Sequence, residues 1–311
     1  MSEKMATREA FGKALVELAE SHDFVVMDAD LAEATKTIIF KKAYPERFID
    51  TGIAEGNMIS TAAGIATCGI PVFAASFAMF SSGRAYEQVR NSVCYPKLNV
   101  KVVGTHGGIS VGEDGATHQC IEDISLMRTI PGMVVINPCD AIEAKQAVKA
   151  ALEHNGPVYL RFCRLATENI HSEDFKFELG KGVEIKEGSD VTIVATGIVL
   201  EFALKAAEML KEEGISARVV DIHTIKPIDK DIIVKAAKET GAIVTVEEHN
   251  VYGGLGSAVA EVVCEEAPVP VLRVGVQDKF GTSGKPAELF KLYNITPEYI
   301  AEKAKEAISK K

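Results

Sequence analysis

Short apolar runs rich in Val and Ile recur along the 311-residue chain, and segments with helical spacing of apolar residues separate them. Most of these runs are continuous rather than alternating, which is typical of parallel strands buried on both faces. Parallel neighbours need crossover connections, and the separating segments are long enough to be the connecting helices. The order of elements therefore predicts an α/β protein in which helices flank mostly parallel sheets.

The predicted elements cover most of the chain. Strands are expected at residues 24–28, 48–53, 71–76, 100–104, 133–137, 158–162, 191–195, 217–222, 243–247 and 269–274. Helices are expected at residues 7–19, 58–68, 85–93, 142–153, 200–211 and 257–265, and a last one reaches the Lys-rich end at 303–311. A chain of this length suits two domains, and apolar periodicity fades between Arg164 and Asp190. We therefore predict two domains, at residues 1–170 and 171–311.

The formal net charge of −10 restricts the possible partners. An acidic chain lacks the excess of Lys and Arg that binds nucleic acid, and anionic lipid surfaces repel it. We also expect no signal sequence and no membrane span, because the chain has no apolar stretch suited to either. The six cysteines include no Cys-x-x-Cys pair, so we predict no zinc site, no disulfide framework and a reduced, cytoplasmic location.

The most specific segment covers residues 105–119, directly after a predicted strand. It carries two histidines, His106 and His118, with two carboxylates and several glycines. A turn-rich loop in which Asp114 and Thr117 cap a helix would explain part of this pattern. A metal site is a rival, since His and Asp bind zinc. A sugar site is better supported, because such side chains offer hydrogen bonds to several hydroxyls and His moves protons near neutral pH.

Two further segments give weaker signals. Glu55 lies between a predicted strand and a predicted helix, where ligand crevices of parallel sheets occur, and we expect its carboxylate to face an open cleft. Alone, it is better explained as a first-turn residue facing the helix dipole. Phe77 and Phe80 are more often core residues, but their spacing of three also suits them to clasp a flat ring.

Arginines and a glycine-rich turn complete the candidates. Arg8 and Arg164 suit bidentate phosphate binding, although surface ion pairs would also explain them in an acidic chain. The segment 252–257 contains Gly-Gly-x-Gly but not the order Gly-x-Gly-x-x-Gly. We interpret it as the start of a helix with little ligand role.

Taken together and in this order, these segments resemble the C-terminal half of transketolase over nearly the whole chain. The most diagnostic piece is Gly-Glu-Asp-Gly-Ala-Thr-His-Gln at 112–119, and Phe-Gly-Thr-Ser-Gly-Lys at 280–285 also fits. The related deoxyxylulose phosphate synthases typically carry Ala where Glu113 stands, and the beta subunits of 2-oxo acid dehydrogenases lack this block. The likeness implies a pyrimidine-binding domain followed by a C-terminal domain.

The resemblance also implies roles for matched residues. The expected coenzyme is thiamine diphosphate, and Glu55 would bond its aminopyrimidine ring. Catalytic roles are implied for Glu55, His106 and His118. Coenzyme contacts are implied for Asp30, Glu55, Phe77 and Phe80. Substrate contacts, to sugar hydroxyls and the substrate phosphate, are implied for Arg8, His106, Asp114, His118 and Arg164.

The chain departs from the transketolase pattern at three points. Gly83 stands where an aromatic is frequent, and Ala34 stands near a usual phosphate-binding Ser, so that Thr35 or Thr37 would substitute or the contact is absent. The chain also has no Gly-Asp-Gly motif with a later Asn, which holds Mg²⁺ and the diphosphate in this family. We therefore predict no metal ligands here and Mg²⁺ on a partner chain.

The resemblance thus predicts the C-terminal subunit of a split transketolase of the pentose phosphate pathway. With an N-terminal partner subunit, it would transfer a two-carbon ketol unit from a ketose phosphate to an aldose phosphate. Two copies of each chain would form a heterotetramer. The alternatives are a subunit of another thiamine diphosphate enzyme, such as a deoxyxylulose phosphate synthase or a 2-oxo acid dehydrogenase, and a non-catalytic assembly or regulatory subunit.

Overall fold

Two mostly parallel sheets flanked by helices organise the chain, which confirms the predicted fold class. The computed structural model describes residues 4–311. Its strands are β1 (Met5–Ala6), β2 (Val25–Asp28), β3 (Phe48–Asp50), β4 (Val72–Phe77), β5 (Val100–Thr105), β6 (Val134–Ile136), β7 (Val158–Arg161), β8 (Ala166–Thr167), β9 (Val183–Lys186), β10 (Val191–Ala195), β11 (Ala217–Asp221), β12 (Thr224–Lys226), β13 (Ile243–Asn250) and β14 (Val271–Val276).

The helices lie mainly between consecutive strands. They are α1 (Thr7–Ala19), α2 (Ala32–Thr35), α3 (Ile38–Ala43), α4 (Glu55–Thr67), α5 (Tyr86–Gln88), α6 (Asp123–Thr129), α7 (Ala141–Glu153), α8 (Leu200–Glu212), α9 (Lys230–Thr240), α10 (Leu255–Glu266), α11 (Pro286–Leu292) and α12 (Pro297–Ile308). Short 3₁₀ turns occupy Pro45–Arg47, Ile109–Val111 and Gly197–Val199, and π-helical turns occupy Met79–Arg84 and Val89–Cys94. Within residues 4–311, no helix has both the length and the apolar character needed to cross a bilayer.

The larger sheet contains seven strands in the order β12-β6-β7-β5-β4-β2-β3. All neighbours are parallel except the antiparallel edge pair of β12 and β6. Every residue of the central strands β4 and β5 is buried, which explains why their sequences do not alternate. The edge strand β3 is partly exposed.

The second sheet has five strands in the order β14-β13-β10-β11-β9, of which only β9 pairs antiparallel. A small antiparallel pair of β1 and β8 stands apart from both sheets. Strand β12 belongs to the second half of the chain yet pairs with β6 of the larger sheet, so the two halves share backbone hydrogen bonds. The domain boundary at residue 170 stays a prediction.

All ten predicted strands are confirmed, and the missed strands β1, β8, β9 and β12 have only two to four residues. Helices α1, α4, α7, α8 and α10 agree with the predictions to within three residues at either end. The predicted regular helix at 85–93 is wrong, because one turn of α-helix is flanked there by π-helical turns. Helix α12 buries Ala301, Ala304 and Ala307 and turns its lysines outward, as expected.

The loops after parallel strands lie together at one edge of their sheet. In the larger sheet, Asp30 lies just after β2, Phe77 ends β4, His106 comes directly after β5 and Arg164 lies just after β7. These strands are neighbours in the sheet, so four of the predicted site residues come from the same edge.

Candidate functional site

A cluster of aromatic rings and imidazoles lies at this edge, and we call it the aromatic–histidine cluster. It consists of Phe77, Phe80, His106 and His118. The ring centroids of Phe77 and Phe80 are 5.8 Å apart with planes inclined by 16°, and those of Phe77 and His106 are 3.9 Å apart. The His118 ring stands edge-on to both phenylalanines, at 6.1 and 5.5 Å. The structure therefore brings these four predicted residues together.

His106 is held in one orientation and in one protonation state. Its backbone is left-handed, with φ at 60°, and its side chain is buried. Arg8 Nη1 lies 2.9 Å from His106 Nε2 and can only donate, so this nitrogen accepts and Nδ1 carries the proton towards Thr105 Oγ1, also at 2.9 Å. Burial and the Arg8 guanidinium lower the pKa of His106 to about 3. His106 is thus a neutral hydrogen-bonding group near neutral pH, and not the proton donor that its residue type indicates.

The two predicted phosphate ligands lie near this cluster. Arg8 also donates from Nη1 to the Ala34 carbonyl at 2.7 Å, while its buried Nε has no hydrogen-bond partner. Burial and the neighbouring Arg164 guanidinium lower the pKa of Arg8. Arg164 Nη1 donates to the Val111 carbonyl at 2.8 Å and lies 3.5 Å from Asp114 Oδ2. The two guanidiniums therefore create local positive charge in an acidic chain, which suits an anion.

Glu55 is the first residue of α4, and its position corrects the expectation of an open cleft. Its side chain is only 1 % exposed, because the half-exposed Arg84 covers it and donates from Nη1 to Glu55 Oε2 at 3.0 Å. The same guanidinium lies 5.5 Å from the centroid of the Phe80 ring. Arg84 thus connects the buried carboxylate to the aromatic–histidine cluster, a role that no sequence pattern predicted.

Asp30 lies just after β2 in left-handed backbone, with φ at 63°, and is exposed at the same edge. The neighbouring Asp28 is buried and accepts hydrogen bonds from the hydroxyls of Thr35 and Thr37, at 2.7 and 2.8 Å. Burial raises the pKa of Asp28 to about 6. Both hydroxyls are therefore turned inwards in this structure and do not replace the serine that is absent at Ala34.

A buried polar network that the sequence patterns did not reveal supports the loop after β5. Asp123 Oδ2 accepts from Arg161 Nε and from the Tyr159 hydroxyl, each at 2.8 Å. Arg161 Nη2 also donates to the Glu248 carbonyl at 3.0 Å, which ties the first half of the chain to the second. A Cβ at Gly107 would lie 2.7 Å from Arg161 Cζ, so close packing requires this glycine. The sequence around Arg161 does not reveal these partners, because Asp123 and Glu248 are distant from it along the chain.

The two motifs that carried the resemblance contact each other. Gln119 Nε2 donates to the Thr282 carbonyl at 2.9 Å and to the Gly112 carbonyl at 3.0 Å. A Cβ at Gly115, where φ is 76°, would lie 2.5 Å from Ser283 Oγ. The segment at 280–285 therefore packs against the loop that carries Asp114 and His118.

Gly83 stands where transketolases frequently carry an aromatic residue, and the local packing explains the glycine. A Cβ there would collide with the terminal methyl group of Met79. The side chain of Met79, one turn earlier, thus occupies the space beside Gly83.

The residues present fit one end of thiamine diphosphate. Phe77 and Phe80 offer ring faces for a flat heterocycle, and Glu55 offers a buried carboxylate in the same region. Within the described part of the chain, the carboxylates of this edge form no cluster of metal-ligand type, and the cluster that does occur lies on other elements. The chemistry of this edge therefore suits the aminopyrimidine and not a diphosphate held by a divalent cation.

Comparisons with known proteins agree with this geometry. The chain matches the family model of the transketolase pyrimidine binding domain over residues 3–169 and that of the transketolase C-terminal domain over residues 180–300. A solved structure described as a split-gene transketolase, an inactive β4 tetramer, superposes with a TM-score of 0.91 at 51 % identity, covering 99 % of this chain and 100 % of that one.

Two curated relatives extend the comparison. The chain is 45 % identical to a 6-deoxy-6-sulfo-D-fructose transketolase subunit of Clostridium sp. strain MSTE9, over 98 % of this chain and 95 % of the relative. It is 39 % identical to the transketolase of Rattus norvegicus, over 100 % of this chain but only 50 % of the rat protein. The chain therefore belongs to the transketolase family and matches that family's pyrimidine-binding and C-terminal domains.

Proposed function

We propose that this chain is the C-terminal subunit of a two-chain, thiamine diphosphate-dependent transketolase. It transfers a two-carbon ketol unit from a ketose phosphate to an aldose phosphate in the cytoplasm, within the pentose phosphate pathway. The observation that carries this proposal is the half-site at the edge of the larger sheet. The rings of Phe77 and Phe80 stack at 5.8 Å, and Arg84 lies between the Phe80 ring and the buried carboxylate of Glu55. The described part of the chain has no cation site next to them.

Glu55 is proposed to act on the coenzyme. When bound, thiamine diphosphate supplies a nucleophilic carbanion, and the protein sets its position and electronic state. Glu55 would bond a ring nitrogen of the aminopyrimidine and hold the proton there, while Phe77 and Phe80 wall the ring and Asp30 contacts the coenzyme from the neighbouring loop. Arg84 must release the Glu55 carboxylate for this, and its half-exposed side chain is free to turn towards solvent.

The sugar phosphate would lie across the loop after β5. Arg8 and Arg164 would supply the positive charge for its phosphate. Arg8 Nη1 reaches the loop at His106 Nε2, 2.9 Å away, and Arg164 Nη1 reaches it at the Val111 carbonyl, 2.8 Å away. Neutral His106, Asp114 and His118 would bond the sugar hydroxyls. Among these, His118 is only partly buried, so its ring is accessible to a bound sugar.

The partner would be an N-terminal subunit that carries the ligands for Mg²⁺ and the diphosphate. A hard cation needs dedicated oxygen ligands, and the described residues of this half-site include no such group. The rat transketolase is twice as long as the region that this chain matches, and the proposed partner would be equivalent to the rest of it. Two copies of each chain would give the closed symmetry that soluble oligomers prefer.

The test is reconstitution. This chain, the N-terminal subunit, thiamine diphosphate and Mg²⁺ are mixed, and transfer from xylulose 5-phosphate to ribose 5-phosphate is followed. The proposal expects turnover only when both chains are present. A reconstituted enzyme that binds coenzyme but decarboxylates 2-oxo acids instead would favour the rival class. A complex without any turnover would favour the assembly subunit.

A further inference from the structure

Four side chains with metal-ligating atoms meet at the junction of the two halves, on elements distinct from the aromatic–histidine cluster. They are Cys139, Glu143, His171 and Asp221, and their ligand atoms all lie within 4.8 Å of one another. Cys139 and Glu143 flank the start of α7, His171 lies beyond β8, and Asp221 ends β11. The thiol and both carboxylates are fully buried, and the imidazole nearly so.

The separations suit a shared central ion. His171 Nε2 lies 3.4 Å from Asp221 Oδ2 and 3.5 Å from Glu143 Oε1, whereas a good N–H···O bond is about 2.9–3.0 Å long. In a tetrahedral zinc site with bonds of about 2.0–2.1 Å, the ligand atoms stand about 3.3–3.5 Å apart. The contact between His171 and Asp221 is a long hydrogen bond, and both distances also match the spacing of zinc ligands.

Two buried oxygen atoms in the group lack hydrogen-bond partners. Glu143 Oε1 and Asp221 Oδ1 accept no hydrogen bond, although Glu143 Oε2 accepts one from the Cys139 backbone N–H at 2.7 Å. A third buried carboxylate, Asp140, adjoins the group and accepts from the His171 backbone at 2.8 Å. Buried carboxylate oxygens without partners are costly, and negative charge is in excess here. A divalent cation would satisfy both oxygens and offset the charge.

We propose that Cys139, Glu143, His171 and Asp221 bind one zinc ion, which ties the two domains together. A thiolate and an imidazole select zinc over Mg²⁺ or Ca²⁺, which prefer ligand sets made only of oxygen. The site is prepared for binding, because the His171 ring stacks on Phe175 with centroids 3.9 Å apart and its backbone is fixed by Asp140. Against the effect of burial, the carboxylates of Asp221 and Glu143 raise the pKa of His171 to about 10. On binding, the Cys139 thiol and the His171 ring therefore each release a proton to solvent, and the sulfur and Nε2 form the bonds to zinc.

Successive ligands along the chain (Cys139, Glu143, His171 and Asp221) have 3, 27 and 49 residues between them. Such intervals match no metal-binding spacing motif. The expectation that this chain has neither a zinc site nor metal ligands rested on spacing alone. Spacing does not reveal ligands that only the folded chain brings together.

The experiment uses the full-length chain alone, stripped of metal by chelation and titrated with Co²⁺ and Zn²⁺. We expect one Co²⁺ per chain with tetrahedral d–d bands and a thiolate-to-cobalt charge-transfer band, both displaced by Zn²⁺. Cys139→Ser should abolish the charge-transfer band, and His171→Gln should weaken affinity at least tenfold. Cys264→Ser is the matched control, since Cys264 is exposed and lies outside the group.

The wild-type spectrum decides the question even if a variant does not fold, which circular dichroism would reveal. Absence of saturable Co²⁺ binding by the wild type would overturn the proposal. So would a charge-transfer band that survives in folded Cys139→Ser. Because neither coenzyme nor partner chain is present, the outcome is independent of the proposed transketolase activity.

Discussion

Arg84 donates a hydrogen bond to Glu55 at 3.0 Å and covers a carboxylate that is only 1 % exposed. In the isolated chain, the group expected to act on the coenzyme is thus paired with a half-exposed cation. Arg84 can exchange this partner for water, but the buried carboxylate must then gain another partner. The pair therefore holds the carboxylate in place until a coenzyme ring nitrogen competes for it.

Glu55→Gln should lower turnover of the reconstituted enzyme by about 100-fold or more. The amide keeps the shape of the side chain but cannot hold the proton of the ring nitrogen, and one such group is worth about 3 kcal/mol or more in the transition state. The measurement is kcat at saturating coenzyme, with Glu87→Gln, an exposed residue beside Arg84, as the control. Near-normal kcat in folded Glu55→Gln would refute this role.

Arg164→Ala should raise KM for phosphorylated sugars more than for unphosphorylated ones. A lost charged hydrogen bond costs about 1.5–3 kcal/mol, or about 10- to 150-fold in KM. The comparison uses one sugar with and without its phosphate, and Arg90→Ala, an exposed arginine, serves as the control. An equal increase for both sugars would instead indicate that the ion pair with Asp114 is structural.

Asp114→Ala should change the preference among sugars that differ in one hydroxyl. Its half-exposed carboxylate lies 3.5 Å from Arg164 Nη1 and in the same loop as His118, and a site built for a hydroxyl penalises its absence or inversion. The ratio of kcat/KM for two epimers is the readout, and Glu113→Ala is the control because Glu113 is the exposed neighbouring carboxylate. An unchanged ratio together with weaker coenzyme binding would reverse the assignment.

His106 should make the fold sensitive to acid. Its folded pKa is about 3, below the ordinary value of 6.5, because it is buried beside Arg8. As pH falls below 6.5, the unfolded chain takes up a proton that the folded chain does not. The free energy of unfolding therefore falls by about 1.4 kcal/mol for each pH unit between 6.5 and 3.

The measurement is urea unfolding at several pH values, compared between the wild type and His106→Asn. The variant lacks this titration, so its stability should fall less steeply across the window, whatever its stability at pH 7. His22→Gln is the control because His22 is more exposed and lies on another loop. Parallel curves for the wild type and His106→Asn would show that folding does not lower the pKa of His106.

Sequence patterns predicted the strands well because burial on both faces leaves runs rich in Val and Ile, as in β6 and β10. They also singled out His106 and Phe77, since polar and aromatic residues at strand ends are conspicuous. The 3.9 Å contact between them depends on β4 and β5 being neighbours in the sheet, which local patterns do not determine. Asp123 and Arg161 were missed for the same reason, because charged residues 38 apart in sequence look like surface groups.

The last prediction is that this chain alone neither binds thiamine diphosphate tightly nor transfers ketol units. The aminopyrimidine end of the coenzyme needs ring faces and a carboxylate, and Phe77, Phe80 and Glu55 supply them. The diphosphate end carries negative charge that Mg²⁺ must offset through oxygen ligands, which the described part of this edge lacks. The net charge of −10 adds further repulsion of an anion. The split-gene relative is itself described as inactive in its β4 form.

Calorimetry and an activity assay with coenzyme and Mg²⁺ check the prediction that this chain alone is inactive. They are run first on the chain alone and then with the N-terminal subunit as the positive control. If this chain binds thiamine diphosphate tightly and transfers ketol units without a partner, the whole site is present in it. The proposal that two subunits form the site together would then be wrong.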